Sequence, residues 1–176
     1  MPFDMNRNLL AALAASLAAA GSAEAQGPRR SQLGEVSQMI DSTRIDLRYR
    51  RPVARGRELF GGIVGFGKPW TPSADSVALF TTSTDITVQG ETLKAGRYGV
   101  WMIPDRETWT VIFSSAQPAF HLPYPQGRDV LRVRTSARQA DHVETLAFYF
   151  PMVDADSAVL NMHWGRTVVP IAIKAK

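Results

Sequence analysis

Along most of this chain apolar and polar residues alternate with a period of two, the pattern of strands buried on one face. Ile45, Leu47 and Tyr49 alternate with Arg44, Asp46, Arg48 and Arg50, so one strand turns an apolar row inward and a charged row outward. Residues 77–82 and 86–88 read as further strands. Gln89-Gly90 closes a turn after them, because glycine reaches positive φ without steric cost. Residues 98–103 and 108–113 predict a hairpin across Pro104-Asp105-Arg106-Glu107, with proline in the second position of a tight turn. Residues 130–134 alternate again, and 142–150 carry Leu146, Phe148 and Phe150 on one face. The last pair of strands, 159–164 and 167–173, is predicted as a hairpin through Gly165-Arg166, with Pro170 placing its strand at an edge or bulge.

Outside the first 25 residues no helical periodicity exceeds about two turns. Eight or nine short strands with regular turns argue an all-β fold, a single-domain antiparallel β-sandwich resembling a jelly roll. Two segments fall outside this grammar. Residues 51–76 are rich in glycine and arginine, and residues 117–128 hold three prolines with Phe120, His121 and Tyr124. These are the two long loops, and function concentrates on such loops when a rigid scaffold holds them.

The N-terminus has a separate role. Arg7 precedes an apolar, alanine-rich run at 9–20 that is too short to span a bilayer, and Ala23-Glu24-Ala25 follows as a small-residue cleavage site. A signal peptide is expected at 1–25, then a linker at 26–36 and the β-sandwich domain at 37–176. Export to the periplasm or the exterior follows, with no transmembrane segment in the mature chain. The sequence has no cysteine, which excludes disulfides, a lipoprotein anchor, a thiol nucleophile and thiolate metal sites. The formal net charge is +4, and loss of Arg7, Asp4 and Glu24 with the leader raises it by one. That charge suits anionic envelope surfaces. It does not form the basic stripe with spaced aromatics that nucleic acid requires, so no nucleic-acid partner is expected.

Several motifs recur in order along the chain. They are Tyr49-x-Arg51-Pro52, then Arg55-Gly56-Arg57-x-Leu59-Phe60-Gly61-Gly62, then Gly67-Lys68-x-Trp70. Leu93-x-Ala95-Gly96-x-Tyr98, Trp109-Thr110-Val111-Ile112-Phe113 and Asp129-Val130-Leu131-Arg132-Val133 follow, and Val169-Pro170-Ile171 closes the series. In these motifs the chain resembles a family of secreted bacterial proteins known as domain of unknown function 2911. The resemblance implies an exported, β-rich single domain and no particular chemistry. The chain departs from the family pattern at Thr71-Pro72-Ser73-Ala74-Asp75-Ser76, where the family has Arg, Asn and Glu, and at His163-Trp164-Gly165, where it has Glu-Trp-Glu.

The candidate ligand-binding residues are Arg51, Arg55, Arg57, Lys68, Trp70, His121 and Tyr124. Guanidinium groups offer planar forks to carboxylate, phosphate or sulfate, and tryptophan offers a stacking face. An alternative is structural: Phe60 and Trp70 pin the loop to the sandwich while its arginines cap carbonyls. His121, His142 and His163 lack metal-ligand spacing, and Asp154-Ala155-Asp156-Ser157 reads as a turn rather than a calcium loop, so no metal or cofactor is expected. No catalytic residues are assigned, because no nucleophile elbow, Ser-x-x-Lys, His-Glu-x-x-His or phosphate loop occurs. Trp101 alternates against Tyr98, Val100 and Met102, which raises the prospect of a solvent-facing aromatic platform for sugars. The sequence favours a non-enzymatic binding module for an anionic glycan, another envelope component or a partner protein. A hydrolase or lyase sited between the 51–76 and 117–128 loops is the alternative, and a purely structural envelope protein a third.

Overall fold

The computed structural model describes residues 31–117 and 119–176, so the expected signal peptide and residues 26–30 lie outside the described residues. Ten strands build two antiparallel sheets. They are β1 (Gln32–Ile40), β2 (Thr43–Arg51), β3 (Ala78–Thr82), β4 (Ile86–Val88), β5 (Glu91–Leu93), β6 (Gly96–Ile103), β7 (Thr108–Ser114), β8 (Asp129–Ser136), β9 (Arg138–Val153) and β10 (Ser157–Ala175). One sheet runs β1-β2-β3-β6-β7-β8 and the other β5-β4-β10-β9. The fold is an all-β sandwich, with no helix among the described residues and therefore none long and apolar enough to cross a membrane.

The period-two pattern explains the packing. Ile45, Leu47 and Tyr49 of β2 are buried, while Arg44 and Arg48 point to solvent. Phe80, Trp109 and Phe113 from the larger sheet meet Leu146, Met162 and Trp164 from the smaller one in a single core. Gln89 and Gly90 both take positive φ, 49° and 88°, and join β4 to β5 in the two-residue turn expected there. The 104–107 turn joins β6 to β7 as predicted.

Four expectations require correction. The chain already pairs with β2 from Gln32, inside the stretch read as linker. The inward positions of β1 before Ile40 are Gly34, Val36 and Gln38, so Val36 alone could not display an apolar alternation there. The predicted hairpin at Gly165-Arg166 does not exist, because β10 runs through it unbroken. Gly165 sits at φ 60°, with register shifts on either side, and a Cβ there would lie 2.7 Å from Leu59 Cδ1. The glycine thus forms a bulge that lets the strand pass beneath the 52–76 loop. Trp101 forms no aromatic platform, since it is wholly buried on the outer face of the larger sheet under Ala119 and Tyr124. Pro170 lies in an interior strand, in the gap between the β9 ladder ending at Val168 and the β4 ladder beginning at Ile173. Its missing N–H therefore breaks no ladder bond there.

The two sheets are braced where the long loop leaves β2. The Tyr49 hydroxyl accepts the buried Phe148 N–H at 2.9 Å, and the two rings meet edge to face at 4.9 Å. The Arg51 Nε donates to the Leu146 carbonyl at 3.1 Å. Residues 52–54 then add to the β9 edge: Leu146 N–H donates to the Pro52 carbonyl and Ala54 N–H to the Glu144 carbonyl. Arg55 and Gly56, both at positive φ, make the turn that follows. The Glu144 carboxylate holds this turn by accepting the Arg55 N–H at 2.5 Å, with its other oxygen on His142 Nε2 at 3.0 Å.

Replacing Tyr49 with Phe keeps the ring and strands a buried amide, which costs about 1–3 kcal/mol. The melting temperature should fall by roughly 3–10 °C; an unchanged value would mean the brace contributes nothing. The His142 and Arg55 donors hold the Glu144 carboxyl below its ordinary value of 4.5. A depressed carboxyl stabilises the fold above its unfolded pKa and loses that contribution as pH falls through its folded pKa. The stability difference between the protein and Glu144→Gln should therefore be present at neutral pH and close as the solution is acidified below 4.5. A difference that stays constant over that range contradicts the assignment.

Candidate functional site

Residues 58–76 form most of the first long loop, and their geometry comes from a cluster of aromatic rings. Phe60 inserts edge-on between Trp109 of β7, at 4.7 Å between centroids, and Trp164 of β10, at 6.1 Å. Trp70 stacks on Trp164 at 5.8 Å with planes 9° apart and receives the Phe60 edge at 5.9 Å. Gly62 allows the tight turn after Phe60, because a Cβ there would lie 2.3 Å from the Glu58 carbonyl oxygen. Trp70 and Met102 exchange both backbone hydrogen bonds, so Trp70 continues the sheet beside β6 beyond the end of β3. The Thr71 hydroxyl donates to the Val100 carbonyl and accepts the Ala78 N–H, while Ser73 Oγ accepts the Arg50 N–H. At residues 71–73 two hydroxyls thus replace backbone groups that a longer β3 would supply.

The seven candidate residues divide into separate groups. Lys68, Trp70 and His121 line one cleft of about 320 Å³ between the two long loops, with Ile63 and Leu122 on its lips. Arg55 and Arg57 line a neighbouring cleft of about 350 Å³ that shares Ile63 with the first. Arg57 also donates to the Ala54 carbonyl at 2.8 Å and the Val53 carbonyl at 2.7 Å, and Arg51 is committed to the Leu146 carbonyl. Those two arginines secure backbone. Arg55 and Lys68 have no ion-pair partner among the described residues.

Tyr124 stands apart from both clefts. Its ring meets Trp101 edge to face at 5.1 Å, and its hydroxyl donates to Asp129 Oδ1 at 2.5 Å while accepting from Arg132 Nη2 at 3.1 Å. Burial, and then the hydrogen bond to Asp129, raise its pKa above the usual phenol value, so it stays a neutral strut. It clamps the 117–128 loop over Trp101, whose buried indole N–H has no hydrogen-bond partner among the described residues.

Among the described residues the cleft holds no carboxylate, and its titratable side chains are Lys68 and His121. His121 Nδ1 lies 3.2 Å from the Asp75 carbonyl oxygen, and both cleft hydroxyls are engaged with backbone, so these residues form no nucleophile–base pair. The lips went unnoticed in the sequence. Ile63 is 48% exposed and Leu122 62%, with Phe120 beside them at 63%. Apolar residues set among glycine and proline, outside any strand period, were the available signal. The other histidines are dispersed, with His142 on Glu144 and His163 between Tyr149 and the Asp141 carbonyl. Among the described residues no three His, Asp or Glu side chains cluster to hold a metal.

Comparison with known proteins bears on identity and not on chemistry. No curated protein and no solved structure matches the chain. A family model described as protein of unknown function (DUF2911) matches residues 31–173. The match takes in both sheets and both long loops, and the chain belongs to the DUF2911 family.

Proposed function

We propose that this protein is an exported, non-enzymatic binding module. It would hold an anionic envelope component through the cleft between its two long loops. The observation that carries this reading is the convergence of Lys68, His121 and Trp70 on one carboxylate-free cleft with exposed apolar lips. A ligand suited to it presents an anionic group to Lys68 and an apolar face to Trp70, Ile63 and Leu122. Arg55 stands across Ile63, positioned for a second anionic group of the same ligand. The scaffold favours binding over turnover, because the loop is fixed by rings and backbone bonds and its hydroxyls are already used. Export rests on the sequence of residues 1–25.

Combining Arg55→Ala, Lys68→Ala and His121→Ala removes cleft charge and leaves the backbone clamps Arg51 and Arg57 in place. Removing each charge-assisted hydrogen bond should weaken retention on immobilised lipopolysaccharide or teichoic acid several-fold, to at least about tenfold for the triple variant. Unchanged retention with an intact circular dichroism spectrum would defeat the reading. Export has its own test. Intact mass of the protein recovered from an exporting host should begin at Gln26, and a mature form that keeps residues 1–25 would contradict it.

A further inference from the structure

The outer face of the larger sheet carries a second feature, with no lining residue in common with the cleft. β3 lies between β2 and β6, and its outward residues are the short Leu79 and Thr81. At the same level β2 carries Asp46 and Arg48, while β6 carries Arg97 opposite Thr81 and Gly99 opposite Leu79. Asp46, Thr81 and Arg97 share one row across the three strands, and Arg48 and Leu79 share the next. The result is a trough along β3, made of depressions of about 460 and 240 Å³ that share Arg48 and Leu79. At 3.4 Å per residue, β3 gives it a length of about 17 Å.

Charge in the trough is unbalanced. Four arginines line it, Arg44, Arg48, Arg50 and Arg97. Two of them are matched within the protein, Arg44 by Asp46 at 2.9 Å and Arg48 by Glu35 at 2.9 Å. Asp46 and Glu35 are the trough's own carboxylates and both are taken, so Arg50 and Arg97 are left without an acidic partner among the described residues. Two unmatched guanidiniums over a partly apolar floor form a receptor for spaced anionic groups.

We infer that this trough binds a linear acidic glycan, with uronate carboxylates paired to Arg50 and Arg97 and a sugar face lying on Leu79. An extended peptide fits less well. β2, β3 and β6 are paired on both sides over this stretch, so no sheet edge is open for a peptide backbone to join. Recognition must come from side chains, and Ser76 and Thr81 supply hydroxyls beside the arginines for sugar hydroxyl groups. The trough shares no lining residue with the Lys68 cleft, so the two sites stand or fall separately.

The test is calorimetric titration of the full mature chain with a tetragalacturonate and with its methyl ester, which keeps the backbone and loses the charge. Binding of the acid and at least tenfold weaker binding of the ester are expected. Arg50→Gln with Arg97→Gln should lower affinity for the acid at least tenfold. Leu79→Trp should do the same by filling the trough without changing charge, and it serves if the arginine variant fails to fold. Lys68→Ala with His121→Ala should leave this affinity within twofold, whatever it does at the cleft. Equal binding of acid and ester, or wild-type affinity in both trough variants, would overturn the assignment. Tighter binding of polyglutamate than of tetragalacturonate would also overturn it and give the trough to an acidic protein.

Discussion

The structure depends on the insertion of Phe60 between Trp109 and Trp164, with Trp70 stacked behind. These four rings come from one strand of each sheet and from both ends of the loop's glycine-rich segment. A chain without cysteine cannot staple a long irregular segment covalently. Here ring contacts hold it, each adding about 0.5–1.5 kcal/mol beyond the apolar area it buries. The loop thereby becomes part of the core. Gly62 and Gly165 are the conditions for that arrangement, one permitting the turn after Phe60 and the other letting β10 run close beneath Leu59.

A loop anchored in this way has consequences for chemistry. Its backbone polar groups are met by β9, by β6 and by its own arginines, so Arg51 and Arg57 hold structure. The cations that remain, Lys68 and Arg55, project from a fixed frame. Preorganised charge of this kind binds without a large ordering cost. The trough on β3 follows the same principle on a different surface, since sheet pairing sets the spacing of its arginines as loop packing sets the spacing in the cleft.

Much of the fold was legible in the sequence because period-two alternation is a direct record of one buried face. β2 was readable for that reason, and β6 and β7 were readable as near-continuous apolar runs, since Trp101 and Ile112 bury their outer face as well. β1 was not, since Gly34 and Gln38 occupy inward positions at an edge where little is buried. Gly165 misled for a physical reason as well: glycine marks both a turn and a bulge, and only the proximity of Leu59 decides between them. The candidate site was legible in residue type but not in grouping. Lys68, Trp70 and His121 meet because the 117–128 loop folds back over Trp101, a contact that no spacing encodes. Tyr124 belongs to that clamp, and its partners Asp129 and Arg132 are visible only once β8 is placed.

Amide hydrogen exchange across residues 58–73 tests the ring-anchored loop most directly. The Gly61, Val64 and Trp70 amides donate to Val64, Leu59 and Met102 carbonyls within the anchored segment. If the rings make that segment part of the core, these amides exchange as slowly as those of β6 and β7, opening only with global unfolding. Exchange at the rate of a solvated loop, with β6 and β7 still protected, would contradict the account.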